Sequence, residues 1–372
     1  MEVAGGDLVR VLTVNTGSTS LKLESYELAA TLPALGDPPA PFFAAEPSAG
    51  EAEDAIATGL AGSIDAVAHR FVRMPDGAPA ALRLDAAAEA RIAKVGADDP
   101  LHDAAALHAV ALVRKLRPGM LQIAVSDSAF HRTMPAAATT YALPRDVTGE
   151  HLHRIGYHGL SHEYAAARGC ALAGLDVARA CVVTAHLGGG SSLCAVRNGA
   201  SVDTTMGYTP LEGVPMATRS GSVDPGLLVH LLRGGMSLDA LEDMLERKSG
   251  LLGISGLSKD VRDLLAAKAD SHARLALDVL AWRIRSSLGA MIAVLGGVDL
   301  IVFTGGIGEH ASTVRAAALD GGLGVGARID AQRNAAGGER LVSPEGSAPA
   351  IAVVSAREGW QLARAALAFA RA

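Results

Sequence analysis

Aromatic side chains are scarce in this sequence: they make up only 3% of its 372 residues, although hydrophobic residues reach 49%. Any core must therefore be built from Ala, Val, Leu and Ile. Basic residues are also outnumbered, 33 against 39 acidic ones, which leaves a net charge of −6. This balance argues against generic nucleic-acid binding, which needs a basic surface, but it leaves room for a local basic pocket.

Cysteine occurs only three times, as Cys170, Cys181 and Cys194, and never in a C-x-x-C pair. An odd count without paired spacing argues against both a disulfide framework and a zinc cluster. Free thiols fit a reducing compartment, so we expect a cytoplasmic location.

Long apolar runs are missing as well. Residues Met1 to Arg10 carry acidic side chains and no apolar stretch, so no signal peptide is expected. The most apolar segment, Leu288 to Phe303, is interrupted by glycines and Asp299, which is typical of a buried helix followed by a buried strand. The chain also contains no Gly-Lys dipeptide, so a Walker-A loop is absent.

The sequence does contain a pair of glycine- and serine-rich turns between apolar runs, VLTVNTGSTSLK (11–22) and VVTAHLGGGSSL (182–193). Each predicts strand, turn and strand, and its backbone N–H groups can form an anion-binding nest. Ordinary hairpins are the alternative, but both turns share one order of residues and are too long for a two-residue loop. The pair therefore predicts a duplicated domain that grips the two ends of a nucleotide polyphosphate.

Strand-like and helix-like patterns alternate along the chain, which favours an α/β fold, and the length favours two domains. We expect an N-terminal domain over 1–140, with the terminal helix 359–372 packing back on it. The C-terminal, nucleotide-binding domain is expected over 141–358. Residues 30–51, rich in Pro, Ala and Gly, predict a loop.

Polar residues stand where apolar strands are predicted to end. Arg70 follows a strand over 64–68, and Asp127 follows a strand over 121–125, the position at which α/β folds place functional residues. For Arg70 the alternative is a solvated surface arginine, and for Asp127 it is an ordinary helix N-cap. We also expect Ser161 to be the N-cap of the next helix.

Three further motifs carry groups suited to binding. The run GGIG (305–308) precedes a predicted helix over 309–318, whose N-terminal amides suit a nucleotide. Arg219 lies in a loop of small residues, where a guanidinium can clamp a carboxylate or phosphate with two hydrogen bonds. His158 and His162 stand four residues apart, a spacing that also suits zinc, but the HExxH glutamate is missing. A helix-cap loop with one histidine directed into a cleft is therefore favoured.

These motifs, in this order, resemble the acetokinase family along the whole chain. The stretches that carry the resemblance include NTGSTSLK (15–22), AHRFV (68–72), DSAFHRTMP (127–135), YALP (141–144), GYHGLSH (156–162), HLGGGSS (186–192), MGYTPLEG (206–213), SGLLGISGLS (249–258) and FTGGIGE (303–309).

The resemblance implies two duplicated ribonuclease-H-like α/β domains of the sugar-kinase/Hsp70/actin type, with ATP in the cleft between them. It implies Mg²⁺-dependent, reversible phosphoryl transfer from ATP to acetate, giving acetyl phosphate and ADP, usually in a homodimer. Neither nucleic acid nor a membrane is expected as a partner. Propionate or another short-chain fatty acid is an alternative acceptor, and a non-catalytic ATP-binding regulator of the same fold is an alternative of another class.

The resemblance also implies roles for individual residues. Asn15 and Glu358 would hold Mg²⁺, with Mn²⁺ as a second choice. The catalytic set would be Arg70, Asp127, His158 and Arg219, in which the arginines orient the carboxylate and neutralise the transferring phosphoryl group and the histidine stabilises the transition state. Since acetate is already ionised at pH 7, we expect Asp127 to orient Arg70 or the metal ion rather than to act as a base. The phosphates and adenosine would be bound by Ser18, Ser20, Lys22, His186, Leu187, Gly188, Gly189, Gly190, Asp260, Val261, Arg262, Gly306, Ile307, Gly308, Glu309 and His310.

Several positions depart from the family pattern. Gly189 stands where asparagine is usual, Arg73 where histidine is usual, and Arg357 and Gly359 flank the predicted metal ligand in place of asparagine and glutamate. The catalytic set itself is retained. The departures therefore bear on the grip on the nucleotide and on the preference for acyl chain length.

Overall fold

The computed structural model describes residues 8–17, 21–29, 35, 38–75, 77–96, 103–149 and 151–371. The chain divides into two compact units: Met1–Ala129 with Gly159–Tyr164 and Arg357–Ala372, and Phe130–His158 with Ala165–Ala356. The sequence-based division set the boundary at 140/141 and kept 159–164 with the C-terminal domain. The structure places 130–140 in the second unit and the short segment 159–164 in the first.

Both units alternate strands and helices. The strands are β1 (Val9–Thr16), β2 (Leu21–Leu28), β3 (Phe43–Ala45), β4 (Ala66–Phe71), β5 (Ala81–Arg83), β6 (Leu121–Ser126), β7 (Cys181–Leu187), β8 (Ser191–Arg197), β9 (Ala200–Thr204), β10 (Leu300–Thr304), β11 (Arg340–Leu341) and β12 (Ala350–Val353). The helices are α1 (Ala52–Gly59), α2 (Ala86–Gly96), α3 (Asp103–Leu116), α4 (Ala136–Thr139), α5 (Arg145–Thr148), α6 (Gly159–Ala173), α7 (Pro225–Arg233), α8 (Leu238–Arg247), α9 (Gly250–Ser255), α10 (Val261–Ala266), α11 (Ser271–Leu295), α12 (Gly305–His310), α13 (Ser312–Leu319), α14 (Ala331–Ala335) and α15 (Glu358–Arg371).

The sheets of the two units have the same topology. In the first, the strand order is β3-β2-β1-β4-β6-β5, and in the second it is β9-β8-β7-β10-β12-β11. The central strands β1, β4 and β6 are parallel, as are β7, β10 and β12, while the outer strands run antiparallel to their neighbours. β1 therefore corresponds to β7, β4 to β10 and β6 to β12. The prediction of two duplicated α/β domains is confirmed.

Each sheet is covered by helices that bury aliphatic side chains. In the first unit, Leu12, Val14 and Val67 of the sheet pack with Ile56 of α1 and Val113 of α3. The terminal helix α15 packs against β1, β2 and β4. In the second unit, the long helix α11 buries alanine, leucine, isoleucine and methionine side chains, and these form a large part of the core. Few aromatic residues are needed because aliphatic side chains fill these layers.

Sequence patterns located most elements but misplaced some boundaries. The segment 288–303 is the end of α11 followed by β10, as predicted. β4 extends through Arg70 instead of ending before it, and β3 lies inside the predicted loop 30–51. A helix already begins at Gly305, so the predicted helix 309–318 is instead α12 followed by α13. Within the described part of the chain, no helix has the length and hydropathy required to cross a bilayer.

Candidate active site

The first unit gathers polar residues at the carboxyl ends of three adjacent parallel strands. Asn15 lies near the end of β1, Arg70 near the end of β4, and Asp127 directly after β6. Because these strands are neighbours and run the same way, the three residues lie at one edge of the sheet. This is the edge at which parallel α/β sheets carry their ligands.

A buried ion pair joins two of them. Arg70 Nη2 donates to Asp127 Oδ2 at 2.7 Å, and the two side chains are only 8% and 0% exposed. The backbone N–H of Leu160, in the first turn of α6, approaches Asp127 Oδ1 at 3.4 Å. The Asp127 carboxylate therefore accepts a hydrogen bond from the guanidinium of Arg70 on β4 and lies at the start of α6. The geometry suits a carboxylate that orients Arg70.

The residue before Arg70 is fixed on the opposite face of β4. His69 is fully buried, and its Nε2 lies 2.8 Å from Gln122 Oε1 on β6. Burial lowers the pKa of His69 to about 4, so the imidazole is neutral at pH 7. The contact ties β4 to β6 and so fixes the backbone that carries Arg70.

The predicted metal ligands lie together. Asn15 Nδ2 donates to Glu358 Oε2 at 2.5 Å, with Glu358 at the first position of α15. Glycine at 359 matters for this arrangement, since a Cβ there would lie 1.7 Å from Glu24 Oε2. The absent side chain lets the Glu24 carboxylate lie against the start of α15. Amide and carboxylate oxygens are hard donors of the kind that Mg²⁺ prefers, so the residues present fit this ion.

The first glycine turn is described only at its ends. Ser18 and Ser20, predicted to face the phosphates, lie outside the described residues. Lys22 is opposite Asn15 in the β1–β2 pairing, but its Nζ lies 3.1 Å from Glu46 Oε1 and its side chain is 53% exposed. Its phosphate-binding role stays a prediction.

In the second unit, the equivalent turn joins β7 to β8. Two stacked histidine rings lie beside it. The rings of His158 and His186 are 4.4 Å apart between centroids. His158 Nδ1 forms a 2.8 Å hydrogen bond with Ser192 Oγ. His158 has a φ of 58° and is the N-cap of α6, so the predicted cap, Ser161, is wrong. A left-handed backbone is uncommon for residues other than glycine, and here it accompanies the contacts of His158 with Ser192 and His186.

Two nitrogen-bearing side chains of this unit, those of His158 and Arg219, lie near Gly190. A Cβ at this position would lie 3.2 Å from His158 Nε2 and 3.7 Å from Arg219 Nη1. Gly188 N–H, in turn, donates to Gly190 O at 3.0 Å and closes the turn. Arg219 itself is only 9% exposed, so it is not a solvated surface arginine. The structure thus brings Arg219, His158 and the glycine turn together.

Gly189, at the tip of this turn, is surrounded by open space. A Cβ there would meet no atom within 4 Å, so no close contact requires glycine at this position. Glycine here in place of the family's usual asparagine removes a side-chain donor from the turn.

The loop that carries Arg219 is held by backbone hydrogen bonds to α8 and α9. Ser220 N–H donates to Leu245 O at 3.0 Å, and Ser249 N–H donates to Thr218 O at 2.9 Å. Gly250 lies against this loop with a φ of +60°, and a Cβ there would meet Met216 O at 2.2 Å and Arg219 O at 2.7 Å. Glycine at 250 is therefore required for the position of Arg219.

Gly250→Ala is expected to lower the free energy of unfolding by more than Gly256→Ala. Both positions have a left-handed backbone, with φ of +60° and +62°, but a Cβ at 256 meets nothing within 4 Å. The clash at 250 should add about 1–3 kcal/mol to the backbone strain that the two share. Urea unfolding of both variants measures the difference, and equal losses would contradict the close approach described above.

The predicted adenosine-binding helix α12 is fixed by a buried arginine that sequence reasoning missed. Arg315 Nη1 donates to Gly308 O at 2.7 Å and to Glu309 O at 2.9 Å, and its Nε donates to Asn334 Oδ1 at 2.8 Å. Gly305 has a φ of +76°, and a Cβ there would lie 2.7 Å from Leu187 O. The start of α12 is therefore packed directly against the end of β7, with Gly306 in open space.

Other predicted adenosine contacts have local structural roles. Asp260 is the N-cap of α10, and Arg262 Nη2 donates to its carboxylate at 2.6 Å. Hydrogen bonds from Arg262 lower the pKa of the Asp260 carboxyl. Val261 is buried in the core, and Glu309 Oε1 accepts from Ala356 N–H at 3.0 Å. For these residues, and for Ile307 and His310, contact with a nucleotide stays a prediction.

Comparison with known sequences points in one direction. The sequence profile of the acetokinase family matches residues 51–364. An acetate kinase from a Synechococcus strain is 47% identical over 269 residues, which are 72% of this chain and 67% of that protein. An acetate kinase from Thermosynechococcus vestitus is 35% identical and aligns with 96% of this chain and 97% of its own length.

Solved structures show the same similarity over nearly the full length. An acetate kinase from Porphyromonas gingivalis superposes with a TM-score of 0.82 at 34% identity, covering 96% of this chain and 98% of that one. A propionate kinase from Francisella tularensis superposes with a TM-score of 0.83 at 30% identity, with the same coverage.

Proposed function

The chain belongs to the acetokinase family, and on that premise we propose that it transfers the γ-phosphoryl group of ATP reversibly to acetate, giving acetyl phosphate and ADP. It is a phosphotransferase whose acceptor is a carboxyl group. The observation that best supports the chemistry is the convergence of Arg219 Nη1 and His158 Nε2 on Gly190 of the β7–β8 turn. Such a turn suits phosphates, and the two side chains suit the charge of a transferring phosphoryl group.

The reaction is governed by electrostatics. A carboxylate oxygen must bond to the γ-phosphorus while the bond to the β–γ bridging oxygen breaks and ADP leaves. Two unit charges ~4 Å apart repel by ~4 kcal/mol at an effective dielectric constant of ~20. Phosphoryl transfer demands little covalent chemistry from the protein, so positioning and charge neutralisation determine its rate.

Each charged residue has a definite task in this scheme. Arg70, oriented by its ion pair with Asp127, and Arg219 supply positive charge to the carboxylate and the phosphoryl group. Acetate is ionised at pH 7, so no general base is required. His158, held by Ser192, stabilises the transition state through Nε2.

Asn15 and Glu358 would hold Mg²⁺, or Mn²⁺ in its place. When bound, the ion would offset the charge of the ATP phosphates. The Asn15–Glu358 hydrogen bond keeps the two side chains together, and the Glu24 carboxylate beside Gly359 adds negative charge nearby.

Propionate is a second candidate acceptor, favoured by the similarity to the Francisella propionate kinase. One methylene changes discrimination by only about 1–3 kcal/mol. We expect kcat/KM to be highest for acetate and to fall through propionate and butyrate. Trapping the acyl phosphate with hydroxylamine, in the presence of ATP and Mg²⁺, measures the series. A maximum at propionate or butyrate would reassign the acceptor, and ATP binding without product from any short acid would instead indicate a regulator.

We further propose a cytoplasmic homodimer. Cys170, Cys181 and Cys194 are all free thiols, which suits a reducing compartment.

Helix α7 has no buried residue, although its sequence is strongly apolar and Leu227 is 48% exposed. A second copy covering this helix would remove its apolar side chains from water. Sedimentation equilibrium tests the state, and a purely monomeric protein at micromolar concentration would contradict it.

A further inference from the structure

The guanidinium of Arg219 is engaged by a carboxylate from a neighbouring helix. We propose that Glu246, at the carboxyl end of α8, is a positioning residue that fixes the orientation of Arg219 for phosphoryl transfer. The inference rests on the proposed function, since it assigns the Glu246 carboxylate a role in that reaction. Glu246 and Arg219 are 27 residues apart in sequence, so no local motif links them.

The contact is specific in its geometry. Arg219 Nε donates to Glu246 Oε2 at 3.0 Å, and the two side chains are only 11% and 19% exposed. A carboxylate hydrogen-bonded to Nε restrains the whole guanidinium, because the group is planar and Nε joins it to the rest of the side chain. Nη1 of the same guanidinium faces Gly190, 3.7 Å from where a Cβ would lie. Glu246 therefore holds Nε of a guanidinium whose Nη1 faces the glycine turn.

The backbone of the Arg219 loop does not depend on this carboxylate. Thr218 Oγ1 donates to the main-chain oxygen of Glu246 at 2.9 Å, and Ser220 N–H donates to Leu245 O. Both bonds use main-chain acceptors of α8, and a substitution at 246 retains them. Leu241 and Leu245 are buried on another face of the same helix. A change at 246 therefore alters the orientation of the arginine while leaving the fold intact.

Glu246 could also act only through its charge, and two substitutions separate these roles. Glu246→Gln keeps an oxygen acceptor for Arg219 Nε but removes the negative charge. Glu246→Ala removes both. Positioning predicts that the glutamine variant retains kcat within about fivefold, because a neutral hydrogen bond is weaker than a charge-assisted one. It predicts that the alanine variant loses about 30- to 100-fold in kcat, the cost of misplacing a reacting group by about 1 Å, with KM for ATP nearly unchanged.

A matched control lies one helical turn earlier. Glu242 is exposed on the same helix, and Glu242→Ala removes the same charge without touching Arg219; it should match the wild type. In an Arg219→Ala background, Glu246→Ala should have no further effect on kcat, because the two residues act as a unit. Wild-type kcat in Glu246→Ala, equal losses in both Glu246 variants, or full additivity with Arg219→Ala would each overturn the proposal.

A second readout does not require turnover. The Nε–H cross-peak of Arg219, assigned by its loss in Arg219→Ala, should exchange slowly in the wild type and in Glu246→Gln, and should broaden or disappear in Glu246→Ala. An unchanged cross-peak in Glu246→Ala would overturn the positioning role. If the wild type forms no acyl phosphate while this cross-peak behaves as expected, the proposed function fails and the contact stands.

Discussion

Arg219→Ala is expected to lower kcat for acetyl phosphate formation by a factor of about 10³ to 10⁵, the range found when an arginine is removed from a phosphoryl transfer. Arg219 Nη1 faces the turn at Gly190 next to His158 Nε2, so its charge acts where the phosphoryl group would be neutralised. That charge matters most in the transition state. The affinity for ADP, measured by calorimetry, should therefore change little, while the hydroxamate assay should show the loss of kcat.

The matched control is Arg179→Ala, because the Arg179 side chain is 88% exposed and pairs only with Asp176 among the described contacts. It should leave both kcat and nucleotide affinity at wild-type values. Near-wild-type kcat in Arg219→Ala would refute the assignment. A large loss of ADP affinity with unchanged kcat would place Arg219 in nucleotide binding instead.

Arg70→Ala is expected to be equally damaging to turnover and to reduce stability as well. The ion pair with Asp127 is buried, so removing the arginine leaves a buried carboxylate without its cation. Breaking such a pair costs about 3–5 kcal/mol. Urea unfolding should show this loss for Arg70→Ala and for Asp127→Ala, alongside the loss of acyl phosphate formation.

The double variant separates stability from catalysis. With both partners removed, no uncompensated charge stays buried, so Arg70→Ala/Asp127→Ala should be more stable than either single variant. Its kcat should nevertheless stay as low as that of Arg70→Ala. Activity that recovers together with stability would show that the pair serves the fold alone.

The duplicated turns and the strand ends could be predicted from sequence because both depend on local patterns. Apolar β-branched runs specify buried strands, and the polar residue after each run has to lie at the end of a strand. That reasoning located Asn15, Arg70, Asp127 and His186 near the ends of β1, β4, β6 and β7.

The errors arose where distant contacts override local preference. Serine is a common N-cap, yet α6 begins two residues before Ser161, after His158 in a left-handed conformation. In that conformation His158 contacts Ser192 and His186, which flank the second glycine turn on β8 and β7. Helix propensity contains no information about such a contact.

Supporting side chains were missed for the same reason. The glutamate that engages Arg219 is on α8, and the arginine that fixes α12 is on α13. Charged residues on helices are usually solvated, so nothing in their spacing distinguishes them. Only the fold shows that Glu246 is partly buried against Arg219 and that Arg315 is fully buried against α12.

The most direct test of the central claim follows an oxygen atom. In the proposed reaction an acetate oxygen bonds to the γ-phosphorus of ATP. With acetate labelled by ¹⁸O in both oxygens, ³¹P NMR should show acetyl phosphate whose phosphorus carries one ¹⁸O neighbour, while ADP carries none. Absence of acetyl phosphate, or acetyl phosphate whose phosphorus has no ¹⁸O neighbour, would contradict attack of the carboxylate on the phosphoryl group.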